Sequence, residues 1–331
     1  MRKESKQGTT NRDLQNTANI ANVQGYHAGG SWGGESYAFV GFHSGLRLFT
    51  SDRFIKLVMN GESSARPDGK PLQGYGLEIE TECFGIKNQT VLAEVYDKVI
   101  FPHFPDGLFK MQRDGSLGGD SSAECITQIM TKAFVRNQYK TFKLMFNTYF
   151  PAFDISASRS GRCGMHVNIS TGCFGNKPEN IESNCKKLLY FVNKNYDLCC
   201  ALFSRSQSHT HYCSRMSEYA TKDACKSANI HRMPSSHGIC MNYSHFDAGR
   251  IEIRLVGGQK DFGCFRNTME SVFFLVEAVK RVSWEKIDSL SEVFKGCNQY
   301  VFDRLESKCS EYITSAELDA IRENVKPMDL I

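Results

Sequence analysis

The sequence predicts a mixed fold, α/β or α+β, on three observations. Short stretches alternate apolar and polar residues with period two, as a strand with one buried face does. Longer stretches between them repeat apolar residues at helical spacing. The regular run of short strands and hairpin turns that marks an all-β chain is missing. At 331 residues and 41% hydrophobic, the chain can hold one large domain or two average ones around a substantial core.

Residues 1 to about 35 are rich in Asn, Gly, Ser, Thr and Gln and poor in aliphatics. Such a segment buries too little apolar surface to offset its ordering entropy and is expected to be mobile or ordered against a partner. Tyr37–Phe42 and Leu46–Phe49 read as a small hairpin, and Ser51-Asp52 as the cap of a short helix over Arg53–Asn60. Gly61–Gly74, with Pro67-Asp68-Gly69-Lys70-Pro71, reads as a linker. Residues 1–72 therefore form an N-terminal extension, and the main domain spans 73–331.

Within that domain the first strand is Leu77–Glu82, followed by a helical pattern from Thr90 to Ile100 that Pro102 and Pro105 close. Asp114–Asp120 is a glycine-rich turn before a strand at Ala123–Ile126, and Lys132–Phe150 is a long amphipathic stretch. Cys163–Ser170 alternates again. Pro178 opens a helix whose stripe is Ile181, Cys185, Leu188, Leu189 and Val192. Ile251–Leu255 is the last alternating stretch. Phe265–Val282 is a strong helix pattern, and Thr314-Ser315-Ala316-Glu317 resembles a capping box.

Several function classes are disfavoured. A net charge of +4 over this length makes no case for nucleic acid. No apolar run is long enough to span a bilayer, and the best, Val272–Val276, is stopped by Glu277. The N-terminus has no apolar stretch behind its charges, so no secretory signal is expected. Thirteen cysteines, odd in number, irregularly spaced and without a CxxC, read as reduced thiols of a cytoplasmic protein, cellular or phage-encoded.

The polar faces of the alternating stretches carry the chemistry. Glu78, Glu80 and Glu82 share one face, as do His166, Asn168 and Ser170, and as do Glu252 and Arg254. Acids at i, i+2 on a strand project side by side and suit hard divalent cations. An arginine on the same face suits a phosphoryl group, and a histidine can ligate metal or touch phosphate. Asp114 and Glu124 flank the glycine-rich turn and can furnish further ligands. Gathered in one pocket, such carboxylates repel one another unless cations are bound.

These strings, Tyr75-Gly76-Leu77-Glu78-Ile79-Glu80, Asp114-Gly115-Ser116 with Glu124, Cys163-Gly164-Met165-His166-Val167-Asn168 and Ile251-Glu252-Ile253-Arg254, resemble in order those of the amidoligases. That family belongs to the carboxylate–amine ligases similar in fold to glutamine synthetase and glutamate–cysteine ligase. The resemblance runs from about Tyr75 to about Arg281. It implies an α+β fold, a curved and mainly antiparallel sheet with helices on its convex face, and ATP with two or three Mg2+ ions on the concave face. It implies ATP-dependent amide formation through an acyl phosphate, from a small-molecule or peptide carboxylate and an amine. Carried over by residue, Glu78, Glu80, Glu124, His166 and Glu252 are the metal ligands. Glu80, Asp114, Glu124 and Arg254 are the catalytic set, with Arg254 on phosphate. His166, Asn168, Arg254 and Arg205 contact the cofactor or substrate, Arg205 with Tyr212 matching an arginine and tyrosine before the last strand pair. The chain departs from the family at Asn168, where a second histidine is frequent, and in residues 1–72, which read as a possible oligomer or partner contact.

Singly, each feature has a plainer reading: an exposed strand face for Glu78 and Glu80, a partly buried histidine, a cross-strand charge ladder for Glu252 and Arg254. His209, His211 and Cys213 lack the spaced second half of a zinc site and read as a polar loop. Two other functions fit the same residues. One is a phosphotransferase of the guanidino-kinase type on the same fold; the other is a non-catalytic descendant with a binding or structural role.

Overall fold

The computed structural model describes residues 46–60, 63–86, 89–112, 117, 122–159, 161–206, 213–233 and 238–327. In chain order the strands are β1 (Arg47–Phe49), β2 (Phe54–Lys56), β3 (Val58–Asn60), β4 (Ser63–Ala65), β5 (Tyr75–Cys83) and β6 (Phe109–Gln112). They continue with β7 (Ser122–Thr127), β8 (Ile129–Met130), β9 (Ile155–Ser156), β10 (Met165–Ser170), β11 (Met241–Asn242) and β12 (Arg250–Ile253). Ten of them build one sheet in the order β11-β12-β10-β5-β8-β1-β2, with β7 and β9 also on β5 and β6 on β7; β3 and β4 pair apart. Among these strands every pairing is antiparallel except β1 with β8, so the sheet is mixed and the class is α+β.

The nine-residue β5 is the axis of the sheet, and its alternation separates two faces. Leu77 and Ile79 are fully buried on one face, where the Tyr75 ring meets Phe273 edge-on at 4.6 Å and the Thr81 hydroxyl meets that of Tyr96 at 2.9 Å. Helices therefore cover this face: Gln89–Val95 with its continuation to Ile100, and Phe262–Arg281. The latter buries Phe265, Met269, Val272, Phe273 and Val276 completely, each worth about 1.5–3 kcal/mol in removed apolar surface. Asp261 caps it, accepting from the Cys264 amide at 2.7 Å. One acid turns inward: Glu270 is fully buried, accepting from Arg136 Nε at 2.8 Å and Nη2 at 2.5 Å, Tyr139 at 2.7 Å and Asn298 at 2.8 Å.

Other elements follow their sequence signals. Lys132–Phe150 is helical, with Thr131 capping its start and a break at Gln138. The Pro178–Lys194 helix buries Cys185, Leu188, Leu189 and Val192, and Thr314 with Glu317 makes the expected capping box. All thirteen cysteines are free thiols, and all but Cys264 are buried. No helix among the described residues is long and apolar enough to cross a membrane.

The helix expected over Arg53–Asn60 is instead β2 and β3. Asp52 serves a turn rather than a cap: the Thr50 hydroxyl donates to it at 2.9 Å, and the Thr50 amide bonds to the Arg53 carbonyl at 2.7 Å. That turn folds Phe54 back beside Phe49, at 5.7 Å between ring centroids, and the β-branched Ile55 and Val58 favour strands. β1 and β2, within residues 1–72, are thus part of the sheet itself. The first arm of the expected hairpin, Tyr37–Phe42, and the Asp114–Asp120 turn apart from Leu117 lie outside the described residues.

Candidate metal centre

The other face of β5 carries Glu78, Glu80 and Glu82, and the strand register decides what faces them. Antiparallel pairing puts His166 opposite Glu78, Glu124 opposite Glu80, and Glu252 opposite both Asn168 and Asn242. Directly opposed residues have Cβ atoms about 4.5–5.5 Å apart. Five strands thereby deliver their polar residues to one place, which the spacing within each strand could not show.

His166 is the hub, with its side chain 9% exposed. Its Nδ1 lies 3.1 Å from Glu78 Oε2 and 3.4 Å from Glu252 Oε1, while Nε2 lies 3.6 Å from Glu80 Oε1. Two groups of ligand atoms result, each within 4.8 Å: Glu78, His166 and Glu252 on one side, Glu80, Glu124 and His166 on the other. The structure thus brings together all five residues expected to bind metal.

Neighbours fix each carboxylate. Asn168 Nδ2 donates to Glu78 Oε1 at 2.7 Å, and Arg250 holds Asn168 Oδ1 at 2.8 Å. The Gly164 amide donates to Glu80 Oε2 at 2.5 Å. A Cβ on Gly164 would lie 2.8 Å from Arg205 Nη2 and 3.3 Å from the Val256 carbonyl, so glycine is what lets that amide approach. Glu252 accepts from Arg254 at 2.6 Å and from Asn242 at 3.0 Å. Glu82 pairs with Arg162 at 3.0 Å, and its other oxygen is buried with no hydrogen-bond partner.

Electrostatics follow from this packing. Burial disfavours the imidazolium of His166, but the hydrogen bond to Glu78 and the charges of Glu80 and Glu78 outweigh burial and Arg254, and its pKa is raised. Burial alone would raise the Glu78 carboxyl; the hydrogen bond and charge of His166, with Asn168 and Arg250, reverse this and hold it at about 2. On β6, burial lowers the pKa of Lys110, against the opposing pull of Glu124 and Glu78.

Arg254 is where the alternation placed it, but its guanidinium already engages Glu252. Arg205 is buried near the start of β10, and it donates to the carbonyls of Val256 at 2.6 Å, Arg254 at 3.2 Å and Leu255 at 3.4 Å. It therefore braces the end of β12. Asp114, Tyr212, His209 and His211 lie outside the described residues. Sequence reasoning missed three contributors. Arg250 was within reach, because it alternates with Glu252 and Arg254. Gly164 had only its neighbour His166 as a signal, and Asn242, on a two-residue strand, had none.

The donor set fits a divalent ion: carboxylate oxygens dominate and one imidazole joins them. No protein-family model matches the chain, and a search of curated proteins finds none similar to it.

Proposed function

We propose that this chain is an ATP- and Mg2+-dependent carboxylate–amine ligase, with a glutamine-synthetase-like sheet presenting its catalytic face. The observation that carries this reading is the meeting of two carboxylate groups on the two nitrogens of His166, beside Arg254 and Arg250. In this reading Glu78 and Glu252 hold one ion and Glu80 and Glu124 another. A neutral imidazole has a single acceptor nitrogen, so His166 serves one of the two at a time.

Bound magnesium would supply charge neutralisation for the phosphoryl group passing from ATP to a substrate carboxylate. The chain's own residues do the positioning. Asn168 and Gly164 hold Glu78 and Glu80 by one oxygen each, and the other oxygen of each faces His166. Arg254, beside Glu252 and only 14% exposed, brings a fixed cation to the place where phosphate charge builds up. The attacking amine must lose a proton, and Glu124, across from Glu80, is a candidate base on the face.

The test is product analysis with ATP, magnesium and mixtures of acids and amines. Phosphate release that needs both an acid and an amine, with an amide product, is expected. A phosphorylated acceptor without an amide would assign a phosphotransferase instead. No magnesium-dependent nucleotide binding would leave a non-catalytic protein.

A further inference from the structure

Before the start of β10 and beyond the end of β12 lies a cavity of about 410 Å3. Its wall carries four cations, Arg205, Lys260, Arg304 and Lys308, together with the hydroxyls of Ser158 and Ser204, and no carboxylate. Of these four, only Lys260 has a carboxylate of a described residue within 4 Å, Asp261 at 3.9 Å. Arg304 donates to the carbonyls of Ala201 at 2.7 Å and Leu202 at 3.3 Å and to the Ser204 hydroxyl at 2.7 Å. Arg205 likewise donates to carbonyls. The hydrogen bonds of both guanidinium groups thus go to neutral oxygens. Four positive charges around one small cavity repel one another, and an anion relieves that repulsion.

The backbone here is shaped at some cost. Ser204 sits at φ +63°, a left-handed conformation that few residues other than glycine adopt. Gly257 and Gly258 form the crossing behind it; a Cβ would come within 2.0 Å of the Ser204 carbonyl at the first and the Ala157 carbonyl at the second. Neither position tolerates a side chain, and their close approach closes the cavity floor. The volume suits a small ligand.

We infer that this cavity is a binding site for a compact polyanionic head group, a phosphate or a pair of carboxylates. Arg205 and Arg304 supply the fixed charge, and Lys260 and Lys308 close over the anion from the rim. Arg205 also connects it to the metal face, because its Nη2 and Glu80 Oε2 both lie within 3.4 Å of where a Gly164 side-chain carbon would be. The site itself needs neither metal nor ligase activity.

The experiment is calorimetric titration of the full chain, in metal-free buffer, with inorganic phosphate and separately with glutarate. Lys260 and Lys308 are exposed, so the double variant K260Q/K308Q should fold normally, which circular dichroism checks. At least one anion should bind, at least tenfold more weakly in K260Q/K308Q, and the tighter of the two identifies the head group. Affinity should fall as salt is raised and stay unchanged in E252Q, which alters only the metal face. No binding of either anion, equal affinity in K260Q/K308Q, or loss of binding in E252Q would overturn the assignment.

Discussion

Replacing Glu80 with Gln separates a metal ligand from a structural acid. The amide keeps an oxygen for the Gly164 N–H, now 2.5 Å from Oε2, so the contact between β5 and β10 survives. A bond to a charged acceptor is worth about 1.5–3 kcal/mol and one to a neutral acceptor about 0.5–1.5, so roughly 1 kcal/mol is lost. Relief of the repulsion between Glu80 and Glu124, directly opposed across the strands, offsets part of that. The metal-free variant should therefore melt within about 4 °C of the parent. Metal linkage should change far more. Magnesium at about 100 times its dissociation constant stabilises the folded state by about 2.7 kcal/mol. Loss of mere supporting residues around a metal costs about 10–100-fold in affinity, and loss of a ligand should cost at least the upper figure. At the same magnesium concentration the stabilisation then drops to about 0.4 kcal/mol. Thermal melts with magnesium titrated at a fixed level of a non-hydrolysable ATP analogue read this directly. An E80Q protein with the parent's full magnesium-dependent rise would refute the assignment of Glu80 as a ligand.

Two further outcomes are expected. Without metal, the His166–Glu78 pair should leave its mark on stability against pH. The raised His166 pKa contributes stability fully present below its unfolded value of about 6.5 and lost as pH rises through the folded value. Glu78, held at about 2, contributes stability present above about 4.5 and lost as pH falls toward 2. Urea melts from pH 4 to 9 should show this contribution greatest between about 4.5 and 6.5, and H166Q should remove the decline on the alkaline side; an unchanged profile in H166Q contradicts the pairing. On the helical side, Glu270→Ala removes the buried acceptor shared by Arg136, Tyr139 and Asn298, and breaking such a buried pair costs about 3–5 kcal/mol. A loss under about 1 kcal/mol in denaturant titration would mean that the Arg136, Tyr139 and Asn298 bonds do not hold the Phe262–Arg281 helix in place.

Period-two alternation made β5, β7, β10 and β12 legible, because each has one buried face and carries its polar residues on the other. Their mutual register was not legible: that Glu124 opposes Glu80, or Glu252 opposes Asn168, depends on pairings between residues tens of positions apart. Ser51-Asp52 misled because a helix cap and a tight turn use the same side-chain chemistry, and only the pairing of Phe54–Lys56 with Arg47–Phe49 decides between them. Glu270 gave no signal, since an acid in an apolar helical run reads as a surface position. Its partners Arg136 and Tyr139 come from more than 130 residues away. The cationic cavity was hidden for the same reason: its four charges are scattered from residue 205 to residue 308.

The expectation that crowded carboxylates need bound cations must be refined, because the chain supplies cations of its own. Among the described residues, Glu78, Glu80, Glu82, Glu124 and Glu252 are faced by Arg162, Arg250, Arg254 and Lys110, four cations against five acids, with His166 between them. The metal-free face is close to neutral. A metal ion binds His166 only through a nitrogen that carries no proton. With His166 neutral, two divalent ions and the four remaining cations stand against five carboxylates, a net positive charge of about three. That surplus opposes metal entry alone and is answered by an ionised triphosphate, so metal and nucleotide should load together. Melts with magnesium alone, a non-hydrolysable ATP analogue alone, and both should show a combined shift well above the sum of the separate ones. A full shift from magnesium alone would mean that the internal cations do not balance the acids, and that the face attracts metal without a polyanion.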